Sequence, residues 1–392
     1  MKLGACILFF VLFLLLPKEA FAIYNPQELP NNRFGIHIID ENDLKDAEEL
    51  VNSNGGEWGY ITFVIQEDNR ELSRWSNVFV NLRKLKLIPI VRVATSTQGA
   101  NWKKPDMETI DGWVNFLDTL PWPIENRYVV VGNEPNHAKE WGGTVNPEEY
   151  STYFVEFSKK LKENSSDFFV LPAGLDASAP NGNSTMDETL FIERMLKIQP
   201  DFFGYADGWV SHSYPNPNFS GSELDGGRGS VRTFEWELAF LKELGVDKDL
   251  PVFITETGWA HNQEGKVNDL LDTNSLGEKL KYTYEHVWNK EQVITVTPFI
   301  FSYLDSPFEI FSWKRKEGGF YSFYDTVKSL TKVKGEPKTV YYKDFDALHF
   351  LKEKGLLNQK EGLSESYSSA ILVNMKSRLK FAKIYEEKGL ID

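Results

Sequence analysis

The chain has 392 residues and a single cysteine, Cys6, which lies within the first 22 residues. This segment has the form of a secretory signal peptide, with Lys2, an apolar run from Ile7 to Leu16, and the small-x-small triplet that ends at Ala22. The expected mature chain would therefore contain no thiol, which excludes disulfides, cysteine–metal sites and a cysteine nucleophile. A secreted chain without disulfides must be stabilised by a sizeable core of its own.

Long apolar runs are also missing. The run from Ile7 to Leu16 has ten residues, whereas about 20 are needed to cross a bilayer. We therefore expect a secreted protein, extracellular or periplasmic, with no stable membrane insertion. An uncleaved anchor is the alternative interpretation of the segment.

Basic residues are fewer than acidic ones, with 43 Lys and Arg against 57 Asp and Glu and a net charge of −14. An acidic chain is a poor binder of nucleic acid and is repelled by anionic membranes. The composition indicates a soluble protein, expected to be a monomer, that acts on a neutral partner. Aromatic residues make up 14% of the chain and include 11 Trp, which serve either as sugar-stacking surfaces or as core.

Eight short apolar runs recur along the chain, and segments with helical patterns separate them. Runs that are apolar along their whole length are typical of parallel strands covered on both faces. This alternation predicts an α/β fold, a (β/α)8 TIM barrel, with an open doubly wound sheet as the alternative. No Gly-x-Gly-x-x-Gly follows the first run, so we expect no dinucleotide cofactor and no other cofactor. The predicted strands are Phe34–Ile39, Gly59–Gln66, Ile88–Thr95, Arg127–Asn133, Phe168–Gly174, Gly208–Ser213, Val252–Thr257 and Ile294–Phe301.

Start and stop signals support the helices between these strands. Asn146 followed by Pro147 and two glutamates predicts a helix start, and Gly245 predicts a helix end. Residues 216–229, rich in Asn, Ser and Gly, predict a long loop after the sixth strand. We predict three segments, which are a signal peptide over 1–22, a barrel over 23–355 and a helical C-terminal extension over 356–392.

Two predicted strands have a glutamate where the apolar run stops. Glu134 directly follows the fourth strand and precedes Pro135, and Glu256 is the second-last residue of the seventh. Active sites of such barrels lie at the C-terminal ends of the strands, so the two carboxylates are expected to meet there. Paired carboxylates cleave glycosidic bonds when one protonates the leaving oxygen and the other attacks the anomeric carbon or activates water. Pro135 favours an extended backbone at Glu134.

The alternative for each glutamate is a structural one, in which a residue at the end of a strand pairs with a barrel Arg or Lys. The occurrence of both glutamates, at the ends of the fourth and seventh strands, favours the catalytic interpretation. In that interpretation Glu134 must carry the proton, whereas Glu256 must be ionised.

Asn133-Glu134-Pro135, the segment from Thr255 to Trp259, and His212-Ser213-Tyr214 together resemble one clan of barrel glycosidases. That clan comprises retaining (β/α)8 enzymes with the acid/base on strand four and the nucleophile on strand seven. The resemblance covers nearly the whole mature chain and implies cleavage of β-linked glycosides of glucan, xylan or mannan type. It also implies that Asn133 binds the sugar 2-hydroxyl, that Tyr214 hydrogen-bonds the nucleophile, and that His212 is a site residue.

Two features depart from the pattern of the clan. Its members often have an arginine at the end of strand two, but here the nearest candidate is Arg92 on strand three. Its members usually have a tryptophan near the end of strand eight, where this chain has Phe301-Ser302-Tyr303. We therefore expect Tyr303 to be the sugar platform, with Trp313 as the alternative.

The remaining candidates are two tryptophans and a histidine. Trp141 and Trp259 lie just beyond the catalytic strand ends, where either sugar stacking or loop packing is expected. His37, on the first strand, is expected to contact a substrate hydroxyl or to be a buried, hydrogen-bonded histidine. His37, His212 and the two glutamates could suggest a metal site, but the His-x-His of metal-dependent barrel hydrolases is absent, so we expect no metal.

The sequence thus predicts a secreted hydrolase that cleaves an oligo- or polysaccharide by double displacement. Three alternatives stay open. One is a carbohydrate-binding pseudoenzyme with the same fold, and another is a metal-dependent barrel hydrolase. The third is transglycosylation, in which an acceptor sugar replaces water.

Overall fold

The computed structural model describes residues 23–263 and 270–340, which belong to a compact unit that ends at Val340. The predicted signal peptide, the last residues of the predicted barrel segment (341–355) and the predicted extension (356–392) lie outside the described residues. Those three predictions stay predictions. No helix within the described part of the chain is both long and apolar enough to span a membrane.

In the described part of the chain, eight parallel strands form two sheets, one with the first five strands in chain order and one in which the seventh strand lies between the sixth and the eighth. Isolated parallel bridges join the edges of the sheets, Phe34 to Val296 on one side and Asp176 to His212 on the other. The predicted α/β architecture with parallel strands is confirmed. The strands are β1 Gly35–His37, β2 Gly59–Gln66, β3 Leu87–Ala94, β4 Arg127–Val131, β5 Phe168–Pro172, β6 Trp209–His212, β7 Val252–Glu256 and β8 Val293–Val296.

Among the described residues eight α-helices alternate with these strands, each following the strand of the same number. A short antiparallel ribbon, Thr97–Gln98 with Asn101–Trp102, projects from the loop after β3. The helices are α1 Leu44–Val51, α2 Leu72–Lys84, α3 Ile110–Thr119, α4 Pro147–Asn164, α5 Glu188–Ile198, α6 Thr233–Glu243, α7 Thr273–Tyr282 and α8 Ser322–Ser329.

The predicted helix start at Asn146 and the predicted helix end at Gly245 are both observed. The side chain of Asn146 accepts a hydrogen bond of 3.0 Å from the backbone of Glu149 and caps α4. Gly245, with φ of +85°, closes the end of α6 through a 3.0 Å bond from its N–H to the Lys242 carbonyl. The segment 216–229 contains no helix or strand, as predicted.

The last strand is shorter than its apolar run. β8 ends at Val296, whereas the sequence predicted a strand to Phe301. Pro298 has no N–H for the ladder, and the chain leaves the sheet there, although the N–H of Phe299 still bonds the Thr257 carbonyl at 2.9 Å. The residues after Pro298 therefore lie beyond the C-terminal end of β8.

Side chains of alternate strand residues form an inner cluster made mainly of strand residues, while the others pack against the helices. On β3, Ile88 and Ile90 belong to the inner cluster, so Arg92 follows on the same face, at the C-terminal end. On β7 the register shifts, since Ser211 pairs with Ile254 and His212 with Glu256. This irregularity interrupts the alternation and re-aims Glu256, which contacts Arg92.

Two further glutamates, Glu188 of α5 and Glu237 of α6, are completely buried behind β6. Burial raises the pKa of both, and the charge of Glu237 raises that of Glu188 further. Trp209 donates its indole N–H to Glu237 at 2.9 Å, whereas the Arg228 guanidinium is 3.9 Å from Glu188. A proton shared between the two carboxyls would satisfy the pair.

A raised folded-state pKa means that the contribution to stability is present at low pH and is lost as pH rises through the folded value. We therefore expect Glu188→Gln to increase the free energy of unfolding at pH 8 by about 1–3 kcal/mol, and by less at pH 5. Denaturant unfolding at the two pH values measures this. Glu193→Gln, on the exposed face of α5, is the control and should change neither value. Equal destabilisation by Glu188→Gln at both pH values would contradict the shared proton.

Candidate active site

The two predicted catalytic glutamates lie together at the C-terminal ends of the strands. A carboxylate oxygen of Glu134, one of Glu256 and a ring nitrogen of His212 all lie within 4.8 Å of one another. Glu256 ends β7 and is buried, while the side chain of Glu134 is 16% exposed. The arrangement offers one shielded carboxylate and one that reaches solvent.

The backbone at Glu134 differs from the sequence expectation. Its φ is +31°, in the left-handed region, rather than extended as Pro135 predicted. The N–H of Glu134 donates to the carbonyl of Gly174 at 3.0 Å, and its carbonyl accepts from the N–H of His137 at 2.8 Å. These tertiary bonds hold a conformation that a non-glycine residue rarely adopts and that is common at functional sites.

Glu256 is held by Arg92 and Tyr214. Arg92 Nη1 donates to Oε1 at 2.6 Å, and the Tyr214 hydroxyl donates to Oε2 at 3.2 Å. Burial alone would raise the pKa of Glu256, but the charges of His212 and Arg92 and the Tyr214 bond outweigh it and lower this pKa to about 2. Glu256 is therefore ionised at any ordinary pH, as an attacking carboxylate must be.

His212 lies between the two carboxylates. Its Nδ1 is 2.9 Å from Glu134 Oε1 and 3.8 Å from Glu256 Oε2. Burial lowers the pKa of His212, but the charge of Glu256 and the hydrogen bond with Glu134 outweigh it, and the net pKa is raised. The imidazolium form thus counters the repulsion between two nearby carboxylates.

Asn133 is fixed from two sides. Its Oδ1 accepts a 2.6 Å hydrogen bond from Arg92 Nη1, the same atom that binds Glu256. Its side chain also interacts with Glu140, whose side chain is 9% exposed and whose pKa is raised by burial. The amide orientation is therefore set before any sugar binds. Glu140 was missed by the sequence analysis, because no motif marks it and it lies in a loop.

His37 and Phe299 line the other side of Glu256. His37 Nδ1 is 4.0 Å from Glu256 Oε1, and the Phe299 ring meets the imidazole edge-on at 5.4 Å. Phe299, after β8, is thus in contact with the histidine that lies beside Glu256. The sequence analysis missed it, because it lay inside the strand predicted over residues 294–301.

Of the two roles expected for Trp141 and Trp259, the structure favours loop packing. Trp141 is 3% exposed and packs against Tyr150 with ring centres 5.6 Å apart. Trp259 is 2% exposed and donates its indole N–H to the Gly221 carbonyl at 2.8 Å. Stacking on a sugar needs a free ring face. Both rings therefore contribute to the packing of the loops.

Tyr303 lies in the loop after β8, partly exposed, with its ring edge-on to Phe308 at 5.4 Å. Phe308 is 38% exposed and in turn meets Phe299 at 5.5 Å. Trp313, the alternative platform, is buried against Phe323. An aromatic row therefore runs from His37 outward through Phe299 and Phe308 to Tyr303, which stays the predicted platform.

Glu134, His212 and Glu256 could each offer one ligand atom to a cation. These donors are already engaged, since Arg92 binds Glu256 at 2.6 Å and His212 bonds Glu134 at 2.9 Å. A divalent cation would have to share Glu256 with the positive charge of Arg92. The donor set therefore fits a charge-paired carboxylate site better than a metal site.

Gly174 leaves room for His212. A Cβ at residue 174 would lie 2.3 Å from Cδ2 and 2.5 Å from Nε2 of the imidazole. We expect Gly174→Ala to displace His212 and to lower kcat/KM by about 100-fold, because a shift of about 1 Å in a catalytic group has that effect. Gly204→Ala, where a Cβ meets nothing within 4 Å, is the control. Wild-type activity in Gly174→Ala would rule out this role of His212.

Arg92 sets the acid limb of the pH profile. Removing its charge should raise the pKa of Glu256, and the attacking form exists only above that pKa. We expect Arg92→Met to lower kcat/KM and to move the acid limb upward by about 1–3 pH units. Arg127→Met, which breaks a similarly buried ion pair with Asp118 at the start of β4, should leave the profile unchanged. An unmoved acid limb in Arg92→Met would contradict the assignment.

Comparison with solved structures shows which proteins share this fold. The chain is similar to a monomeric β-xylosidase from Caulobacter crescentus CB15, with 14% identity and a TM-score of 0.52 over 76% of this chain and 68% of the other. A β-mannanase from Thermomonospora fusca has 13% identity and a TM-score of 0.48 over 79% of this chain and 95% of the other. An endo-β-1,3-glucanase from Pseudomonas viridiflava has 14% identity and a TM-score of 0.46 over 76% and 97%.

No protein-family model and no curated protein matches the chain. At these identities a likeness shows the fold alone, and of these three structures the β-xylosidase has a TM-score above 0.5. In fold, the chain therefore resembles glycoside hydrolases, as its motifs predicted.

Proposed function

We propose that the protein is a retaining glycoside hydrolase, with Glu256 as nucleophile and Glu134 as acid/base. One observation carries the proposal, which is that one oxygen of each carboxyl group lies within 4.8 Å of the other, with Glu256 held ionised by Arg92. Retaining enzymes have carboxyl groups about 5–5.5 Å apart, whereas inverting enzymes need about 6.5–9.5 Å to admit a water. The short separation supports attack by the carboxylate itself.

The proposed reaction has two steps. Glu134 protonates the leaving oxygen while Glu256 attacks the anomeric carbon, which breaks the glycosidic bond and forms a glycosyl ester. Glu134, now ionised, then removes a proton from water, which attacks the same carbon and releases Glu256. His212, hydrogen-bonded to Glu134 at 2.9 Å, is placed to stabilise its charge between the steps. An acceptor sugar in place of water would give transglycosylation.

The substrate proposed is a β-linked oligo- or polysaccharide of glucan, xylan or mannan type. The strand-end motifs support it, and so does the fold shared with a β-xylosidase. We also propose that the two sheets act as one closed (β/α)8 barrel, which the bridges Phe34–Val296 and Asp176–His212 support. We propose secretion because the apolar run from Ile7 to Leu16 is followed by Ala20-Phe21-Ala22.

The proposal is tested by assaying the purified protein on a panel of aryl β-glycosides and polysaccharides. We expect wild-type protein to cleave at least one, and Glu134→Ala and Glu256→Ala to lose about 1000-fold or more in kcat/KM. The kcat/KM of Glu140→Ala should fall by a smaller factor, because the Glu140 side chain acts through Asn133.

Azide separates the two catalytic roles. With Glu256→Ala, azide should restore cleavage and give a glycosyl azide of inverted configuration, because azide replaces the nucleophile. With Glu134→Ala, it should give the retained configuration, because azide attacks the glycosyl-enzyme. The opposite pairing would exchange the two roles, and strong sugar binding with no turnover by wild-type protein would favour a pseudoenzyme.

A further inference from the structure

His37 ends β1 beside the nucleophile and is 1% exposed. Its Nδ1 is 4.0 Å from Oε1 of Glu256 and has no hydrogen-bond partner among residues 23–263 and 270–340. Buried polar atoms nearly always have a partner, and at a candidate active site an atom of a bound ligand is one group that can supply it.

The protonation of the imidazole determines what that ligand atom must be. The backbone carbonyl of Thr255 is an acceptor beside the ring and raises the pKa of His37, and because Nδ1 has no hydrogen-bond partner, we assign the single N–H of the neutral ring to Nε2. Burial lowers the pKa of His37 to about 3, helped by the charge of Arg92. The ring is therefore neutral above pH 4, and Nδ1 presents a lone pair.

Nδ1 of His37 thus faces a second acceptor, Oε1 of Glu256, across 4.0 Å. The edge-on contact of Phe299, at 5.4 Å and 87°, packs against the imidazole and holds it in place. A group that approaches Nδ1 must bring a hydrogen to donate. A hydroxyl does so, whereas a carboxylate presents only further lone pairs and adds a negative charge beside Glu256.

We propose that Nδ1 of His37 accepts a hydrogen bond from one hydroxyl of the sugar ring that is attacked by Glu256. The contact selects neutral glycosides over sugars with a carboxylate at that position. This inference rests on the proposed function, because it places the reacting sugar at Glu256.

The test compares sugars as well as variants. The aryl β-glycoside with the highest kcat/KM in the panel and its monodeoxy analogues are assayed on wild-type protein, His37→Leu and His37→Asn. Leucine removes the acceptor, whereas the amide oxygen of asparagine lies close to the position of Nδ1. Glu256→Ala is assayed alongside as the inactive reference.

For one deoxy analogue we expect wild-type kcat/KM to fall about 10- to 100-fold. The kcat/KM of His37→Leu on the parent glycoside should be lower than that of wild-type protein by a similar factor. It should not fall further on that analogue, because the variant already lacks the hydrogen bond that the analogue removes. His37→Asn should recover part of the loss. The inference would be overturned if every analogue lowered the kcat/KM of His37→Leu by the same factor as it lowers that of the wild-type protein.

A direct measurement applies even if His37→Leu does not fold. ¹⁵N NMR of the histidines in wild-type protein should show Nδ1 of His37 unprotonated from pH 5 to 8 and shifted when a monosaccharide from the panel binds. A proton on Nδ1, or no shift on binding, would overturn the inference. If wild-type protein cleaves nothing, the proposed function fails, and this titration still tests His37 by itself.

Discussion

The ion pair between Arg92 and Glu256 is the contact on which the site depends. An ionised carboxylate is costly to bury unless a charge and hydrogen bonds compensate it. Arg92 does so at 2.6 Å, and its position follows from the alternation on β3, which directs it inward at the C-terminal end. The same Nη1 fixes Asn133, so one guanidinium both maintains the charge of the nucleophile and orients the neighbouring amide.

His212 extends this arrangement to the second carboxyl. It lies within hydrogen-bond distance of Glu134 and 3.8 Å from Glu256, over a glycine that leaves room for its ring. Glu256 thereby lies beside two positive charges and the Tyr214 hydroxyl, whereas Glu134 is hydrogen-bonded to the imidazole and reaches solvent. Different environments for two nearby carboxyls are what separates an attacking group from a proton donor.

Much of the fold and of the site was predictable from the sequence. The remainder was not predictable, and the reasons are physical. Strand positions agree within a few residues, because each run buried on both faces is apolar throughout, and β8 differs where Pro298 ends the ladder. The sequence could not predict that Trp141 and Trp259 are buried, because tryptophan suits a core and a sugar platform equally. It also missed Glu140 and Phe299, whose roles depend on loop geometry. The left-handed backbone of Glu134 is a tertiary effect that overrides the local preference before proline.

The central claim is that Glu256 forms a covalent bond with the sugar. The most direct test is incubation with a 2-deoxy-2-fluoro β-glycoside bearing an activated leaving group, followed by peptide mass spectrometry. The account predicts one sugar per protein, attached to the peptide that contains Glu256 and absent in Glu256→Ala. A label on Glu134 or elsewhere, or turnover of the native glycoside with inversion at the anomeric carbon, would contradict it.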